Sequence, residues 1–128
     1  KDRLPVVKVH GFGVTGWRTL VKFPWFSVDS ATWLKRGVFG EILVPRLSND
    51  RFVFMRPPYT IGVTEQHLRG RHIDRLHKKD RKHVYRWLQE IDVDPIKLNN
   101  SQTERTKANV AYFTRLQENI SPWPWPYR

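Results

Sequence analysis

The chain has no cysteine, which excludes a disulfide framework and a cysteine-based zinc site. It also has no run of about 18 or more apolar residues, no apolar stretch of signal-peptide type and no uniformly apolar helix face flanked by lysines, so the sequence gives no reason to expect a membrane partner. Acidic residues are few: 12 Asp and Glu stand against 23 Lys and Arg, a formal net charge of +11. Such an excess generates a long-range positive field that attracts polyanions, of which nucleic acid is the commonest. Without cysteine and without a spanning segment, the expectation is a cytoplasmic protein handling DNA or RNA. No internal repeat is visible, and no cofactor or metal is expected.

What is present can build a core. At 128 residues the chain has the size of one ordinary domain, and six Trp with seven Phe supply large units of apolar burial. Leu4 to His10 is β-branched and apolar, the pattern of a buried strand, and Gly11-Phe12-Gly13 breaks it. Thr15 can cap a helix over 16–23 that Pro24 stops, and a second short strand over 25–28 follows. Strand, glycine turn, helix and strand in so few residues describe a parallel βαβ unit. Beyond it come a helical turn over 31–35 and strands over 38–44 and 51–55, then a short strand over 61–63. From Thr64 the composition turns polar, basic and helical. Asp80 is a plausible cap for a helix whose apolar face is Val84, Trp87, Leu88 and Ile91. Ser101 with Glu104 forms a capping-box pattern opening a helix to about Asn119, with Val110, Phe113, Leu116 and Ile120 as its apolar stripe. The tail from Ser121 alternates Pro with aromatics and reads as an extended strap. The expected fold class is therefore α/β, with a βα-rich segment over 1–63 and a basic helical extension over 64–128.

One constellation carries chemistry. His10, Gly11, Phe12 and Gly13 form the loop after the first strand, and Asp29 with Ser30 closes the second. A carboxylate at the carboxyl end of a parallel strand, beside a glycine loop, stands where sheets and barrels of this class hold substrates. Glycine at 11 and 13 lets backbone amides approach a flat or anionic ligand. Asp29 is then a candidate nucleophile. On spacing alone, the simpler alternative is that Asp29 caps the next helical turn.

The stretch VKVHGFGVTGWRTLVKFPWFSVDSATWL resembles the late barrel segment of tRNA-guanine transglycosylases, and more closely their phage and bacterial relatives acting on 7-deazaguanine bases in DNA. The likeness covers about residues 6 to 45. It implies that Asp29 matches the covalent nucleophile of that family and that Gly11 and Gly13 match the glycines of the preceding loop, with His10, Phe12 and Ser30 beside the base. It also implies the last βα units of a (β/α)8-type barrel, with a 7-deazaguanine-type base as second substrate. A complete barrel of this kind takes about 250 residues, and the chain opens on Lys1 rather than Met, so an upstream segment carrying the second catalytic acid is expected to be missing. The tRNA-type enzymes end in a zinc site of three cysteines and a histidine, which this chain cannot form. Base exchange on this pattern proceeds through a covalent glycosyl-enzyme intermediate and needs a target base that is accessible or flipped from the stack.

A second constellation is HLRGRHIDRLHKKDRKHVYR over 67–86, with eight Arg or Lys and four His against Asp74 and Asp80. Phosphate contacts dominate nucleic-acid affinity and come chiefly from Arg and Lys. Arg69, Arg71, Arg75, Lys78, Lys79, Arg81 and Lys82 are the candidate backbone-binding residues. His67, His72 and His77 recur every five positions, about 140° apart on a helix, whereas a helical metal pair needs i, i+4. The rival reading is a non-enzymatic basic module, or a structural protein packed against nucleic acid, with the Asp29 region as scaffold. The tryptophans are expected in the core, with Trp123 and Trp125 clamping the tail.

Overall fold

The computed structural model describes residues 2–65 and 71–128. The expected βαβ unit is there, in miniature. Strand β1 (His10–Gly11) pairs in parallel with β2 (Ser27–Val28), His10 opposite Ser27 and Gly11 opposite Val28. Helix α1 (Trp17–Lys22) connects them and ends ahead of Pro24. Gly16 rather than Thr15 occupies its N-cap, without a side-chain bond. The Leu4–His10 run is not a buried strand: Val6 is 95% exposed and Val7 66%. A strand is buried only where neighbours cover it, and β1 meets β2 over two residues, with further bonds from Phe26 N–H to the Val9 carbonyl and from Asp29 N–H to the Gly11 carbonyl.

Helix α2 (Thr32–Val38) extends three residues past the expected turn, so strand β3 (Glu41–Val44) begins later than the apolar pattern implied. After Pro45, β4 (Arg46–Ser48) and β5 (Arg51–Val53) form an antiparallel hairpin. Its turn residues Asn49 and Asp50 both have positive φ, the handedness that matches strand twist in a two-residue hairpin loop. Strand β6 (Tyr59–Gly62) returns antiparallel to β3, with Val44 opposite Tyr59. Among the described residues the strands make three two-stranded sheets and no barrel; the class is mixed α/β with four α-helices. Two of the three pairs are antiparallel and close locally.

Helix α3 (Lys78–Glu90) starts from His77 at the N-cap, with Asp80 in the first turn rather than capping. Its apolar face buries Val84, Trp87 and Leu88, and the Trp87 ring meets Phe52 at 5.2 Å and Phe54 at 5.9 Å. Helix α4 (Gln102–Asn119) opens at Ser101, whose Oγ accepts from Glu104 N–H at 3.2 Å, as the capping pattern implied. Its buried face differs from the apolar stripe. Arg105, Ala108, Asn109, Tyr112 and Leu116 point inward, while Val110 is 43% exposed. Asn109 holds the elements together: Oδ1 accepts from Leu43 N–H at 2.8 Å, and Nδ2 donates to the carbonyls of Glu41 and Trp33. Arg105 donates to the carbonyls of Gly37, Leu98 and Asn99.

One cluster of buried side chains runs from Leu20 and Val21 in α1 through β3 to Trp87, Tyr112 and Leu116. That cluster draws on residues from both sides of position 63. The tail closes over the βαβ unit, with Trp125 buried and backbone bonds from Tyr127 N–H to the Arg3 carbonyl and from Arg128 N–H to the Lys22 carbonyl. No helix among the described residues is long and apolar enough to cross a membrane.

Candidate functional site

The glycine loop and the end of β2 meet as the sequence pattern required. Asp29 N–H donates to the Gly11 carbonyl at 3.1 Å, continuing the ladder and fixing its backbone next to the loop. Its Oδ1 accepts from Gly13 N–H at 2.6 Å. That donation is the main reason the carboxyl pKa lies below its ordinary value; desolvation opposes it, and the bond and charge of His10 add lesser lowering effects. The carboxylate is ionised at neutral pH.

Both glycines are required by geometry. Gly13 has φ of +62°, the left-handed region that L side chains rarely adopt, and this conformation presents its N–H to Asp29. At Gly11 the need is space: a Cβ would stand 2.5 Å from Val14 Cγ2 and 3.1 Å from the Trp25 ring.

The second carboxylate oxygen is held more loosely. His10 Nε2 lies 3.4 Å from Asp29 Oδ2, and His10 Nδ1 lies 2.8 Å from Ser27 Oγ. When the serine hydroxyl donates to Nδ1, the imidazole Nε2–H is left to face the carboxylate. Phe12, 85% exposed, packs edge-on against the His10 ring at 4.5 Å. Ser30 Oγ accepts from Thr32 N–H at 3.1 Å in the turn that leads into α2, whose N-cap is Ala31. The alternative of Asp29 as the helix cap is thereby replaced by a bond back to the loop.

Asp29 and Ser30 sit in the lining of a cleft of about 670 Å³ between the βαβ unit, the end of α4 and the tail. That volume lies in the range of small-molecule sites. Its walls are aromatic, with Trp25, Phe26, Trp33, Phe113, Trp123 and Trp125, and Ser27 and Gln117 add polar groups. Phe26 and Trp123 meet edge-to-face at 5.5 Å, and Lys8 Nζ lies 4.7 Å from the Phe26 ring centroid. Trp123 Nε1 is buried with no hydrogen-bond partner among the described residues. Sequence reasoning assigned these tryptophans to the core or to clamping the tail. Trp125 does both, being 3% exposed and still part of the cleft wall. Nothing in their spacing brings Trp33, Phe113, Gln117 and Trp123 together; the chain's return along α4 does.

No family model, no curated protein and no solved structure matches the chain.

The basic stretch divides into exposed and structural cations. Arg71, Arg75, Lys78, Lys79 and Lys82 are exposed. Arg81 is half-buried and used internally, its Nη2 donating to the Asp74 carbonyl at 3.0 Å. Arg69 and His67 lie outside the described residues. His72 is buried: Nε2 faces the Thr64 carbonyl at 2.9 Å and Nδ1 accepts from Asp74 N–H at 3.1 Å, so it serves the backbone. His83 Nε2 lies 2.7 Å from the Pro45 carbonyl. Among the described residues there is no cluster of three His, Asp or Glu side chains able to hold a metal ion.

Proposed function

We propose that this chain carries the nucleophile of a nucleic-acid base-exchanging transglycosylase, replacing guanine by a 7-deazaguanine base. The observation that carries the reading is the ionised Asp29 carboxylate at the carboxyl end of β2, fixed at Oδ1 by Gly13 N–H and bordering an aromatic cleft. The resemblance of residues 6 to 45 to the transglycosylase barrel segment supports the same assignment.

Oδ1 is committed to Gly13, which leaves Oδ2 as the attacking oxygen. Oδ2 forms a bond to the sugar C1′ as the C1′–N bond to guanine breaks, and the bonding pair leaves with the base, which takes up a proton. The nitrogen of the incoming 7-deazaguanine then attacks C1′, gives up its proton and releases the carboxylate. A lowered pKa suits this role, because the nucleophile must be ionised and the carboxylate must be a competent leaving group from its ester. Aromatic walls offer stacking surface to a flipped base.

The second reading, a basic binding module without chemistry, is favoured by one observation: among the described residues, Asp29 is the sole carboxylate lining the cleft. Intact-mass spectrometry of the full-length protein after incubation with guanine-containing DNA or RNA separates the two. Base exchange requires a covalent adduct mapped to Asp29 and lost in Asp29→Asn while nucleic-acid affinity is retained. Salt-sensitive binding with no adduct on either substrate sinks the enzymatic reading and leaves the binding module.

A further inference from the structure

Three segments distant in sequence converge on one ring. Tyr59 opens β6 opposite Val44, the last residue of β3, and Arg46 follows two residues later as β4 begins. The chain entering the basic region returns beside β6, where Gly62 N–H donates to the Arg71 carbonyl at 2.7 Å and Gly62 bridges to His72. The Arg46 guanidinium lies 4.5 Å from the Tyr59 ring centroid and the Arg71 guanidinium 4.7 Å. Arg46 is anchored by Nε donating to the Pro57 carbonyl at 2.7 Å, and its Nη1 reaches the Tyr59 hydroxyl at 3.4 Å. His72, bonded to Thr64 and Asp74 as described, stiffens the backbone from which Arg71 projects.

Among the described residues no carboxylate compensates the charge on this ring. Arg36, Arg86 and Arg115 each hold a carboxylate, that of Glu41, Asp50 and Glu90 respectively. Among the described residues neither Arg46 nor Arg71 has a carboxylate partner. Two guanidiniums at 4.5 and 4.7 Å from one ring centroid repel each other, and an anion bound near both weakens that repulsion. Guanidinium forks match phosphate oxygens in bidentate geometry, and stacking on a ring holds the fork in place before the ligand arrives.

We propose that Tyr59, Arg46 and Arg71 form a phosphate-binding platform that takes the backbone of a nucleic-acid strand. The inference rests on the nucleic-acid reading above and adds a ring-stacked anchor to the exposed lysines of α3. It assigns Arg46 and Tyr59, which lie outside the basic run, to the same interface.

The test is fluorescence anisotropy of the full chain with a short fluorescein-labelled single-stranded oligonucleotide across a salt series. Arg46→Ala/Arg71→Ala removes two phosphate contacts. Its log–log salt slope falls by about 1.4, and affinity at moderate salt drops about tenfold or more. Lys35→Ala/Lys97→Ala removes equal charge from exposed positions elsewhere and serves as the control. Arg46→Lys/Arg71→Lys keeps the charge and the fold but not the planar fork, so it retains the slope and loses affinity severalfold. A double alanine variant indistinguishable from the control, or a lysine pair binding as tightly as the unaltered chain, overturns the platform. The Asp29 adduct separates this outcome from that of the catalytic reading. Both arginine variants form it at saturating oligonucleotide, whereas an unaltered chain that binds through the platform without forming an adduct refutes base exchange alone. Absence of any binding by the unaltered chain overturns both.

Discussion

Replacing Asn109 by alanine removes a side chain that is fully buried and makes three bonds to the backbone of two other elements. Leu43 N–H loses its acceptor in a residue that is 5% exposed, and the carbonyls of Glu41 and Trp33 lose a shared donor. A buried backbone group left unpaired costs about 1–3 kcal/mol. The N–H carries the full penalty and the two partly buried carbonyls a fraction of it, which gives about 3 kcal/mol in total. Against a typical domain stability of about 5–15 kcal/mol this is a large loss, and it lowers the Tm by roughly 10 °C for a chain of this size. Urea denaturation followed by circular dichroism measures it directly. Asn109→Leu decides the cause, since it fills the volume but satisfies none of the three groups. Both variants are expected to be destabilised. Asn109→Leu as stable as the unaltered chain would refute the hydrogen-bond argument and make the site one of packing alone.

Three further outcomes follow from the same geometry. Gly11→Ala, whose Cβ meets Val14 and Trp25, costs about 1–3 kcal/mol through overpacking; Gly13→Ala meets nothing within 4 Å and costs about 1 kcal/mol for its left-handed backbone. Thermal melts that reverse this order would contradict the loop geometry. The Asp29 carboxyl is depressed below 3.8 in the folded chain, so its stabilising contribution is present above pH 3.8 and is lost as pH falls through the lower folded value. An NMR titration should show the Gly13 amide shift moving with a midpoint below 3.8, and a midpoint above it would break the assigned bond. Tyr112 has a buried hydroxyl without a partner among the described residues, and burial pushes its phenol up from 10.0. Tyr112→Phe should therefore be as stable as the unaltered chain or slightly more so at neutral pH. Above pH 10 the unaltered chain loses stability relative to it, because only the unfolded phenol then ionises.

Much of the local structure was legible in the residues because its causes are local. Ser101 caps α4 through its own third residue onward, Pro24 limits α1, and the spacing of Val84, Trp87 and Leu88 defines the buried face of α3. The βαβ unit and the meeting of Asp29 with the glycine loop were also legible, since a short crossover returns the chain to the same sheet end. Where these rules failed, a distant partner had intervened. Leu4 to Val9 has the composition of a buried strand and lies exposed, because burial needs a covering layer that local sequence does not supply. Helix α4 turns Arg105 and Asn109 inward and leaves Val110 half in solvent, because the carbonyls and N–H groups of α2 and β3 need polar partners more than the core needs another valine.

By itself, then, the sequence determined the start of α4 and the end of α1, the excess of positive charge, the mixed α/β class and the placing of one carboxylate beside two glycines. Those features depend on backbone sterics, capping and composition, which act within a few residues. Tertiary structure alone decided that Trp33, Phe113 and Trp123 face a common cleft with Asp29, and that Arg46 and Arg71 share the ring of Tyr59. Both arrangements join segments separated along the chain, and they exist only because the packing of α4, the tail and the β3–β6 pair brings those segments together.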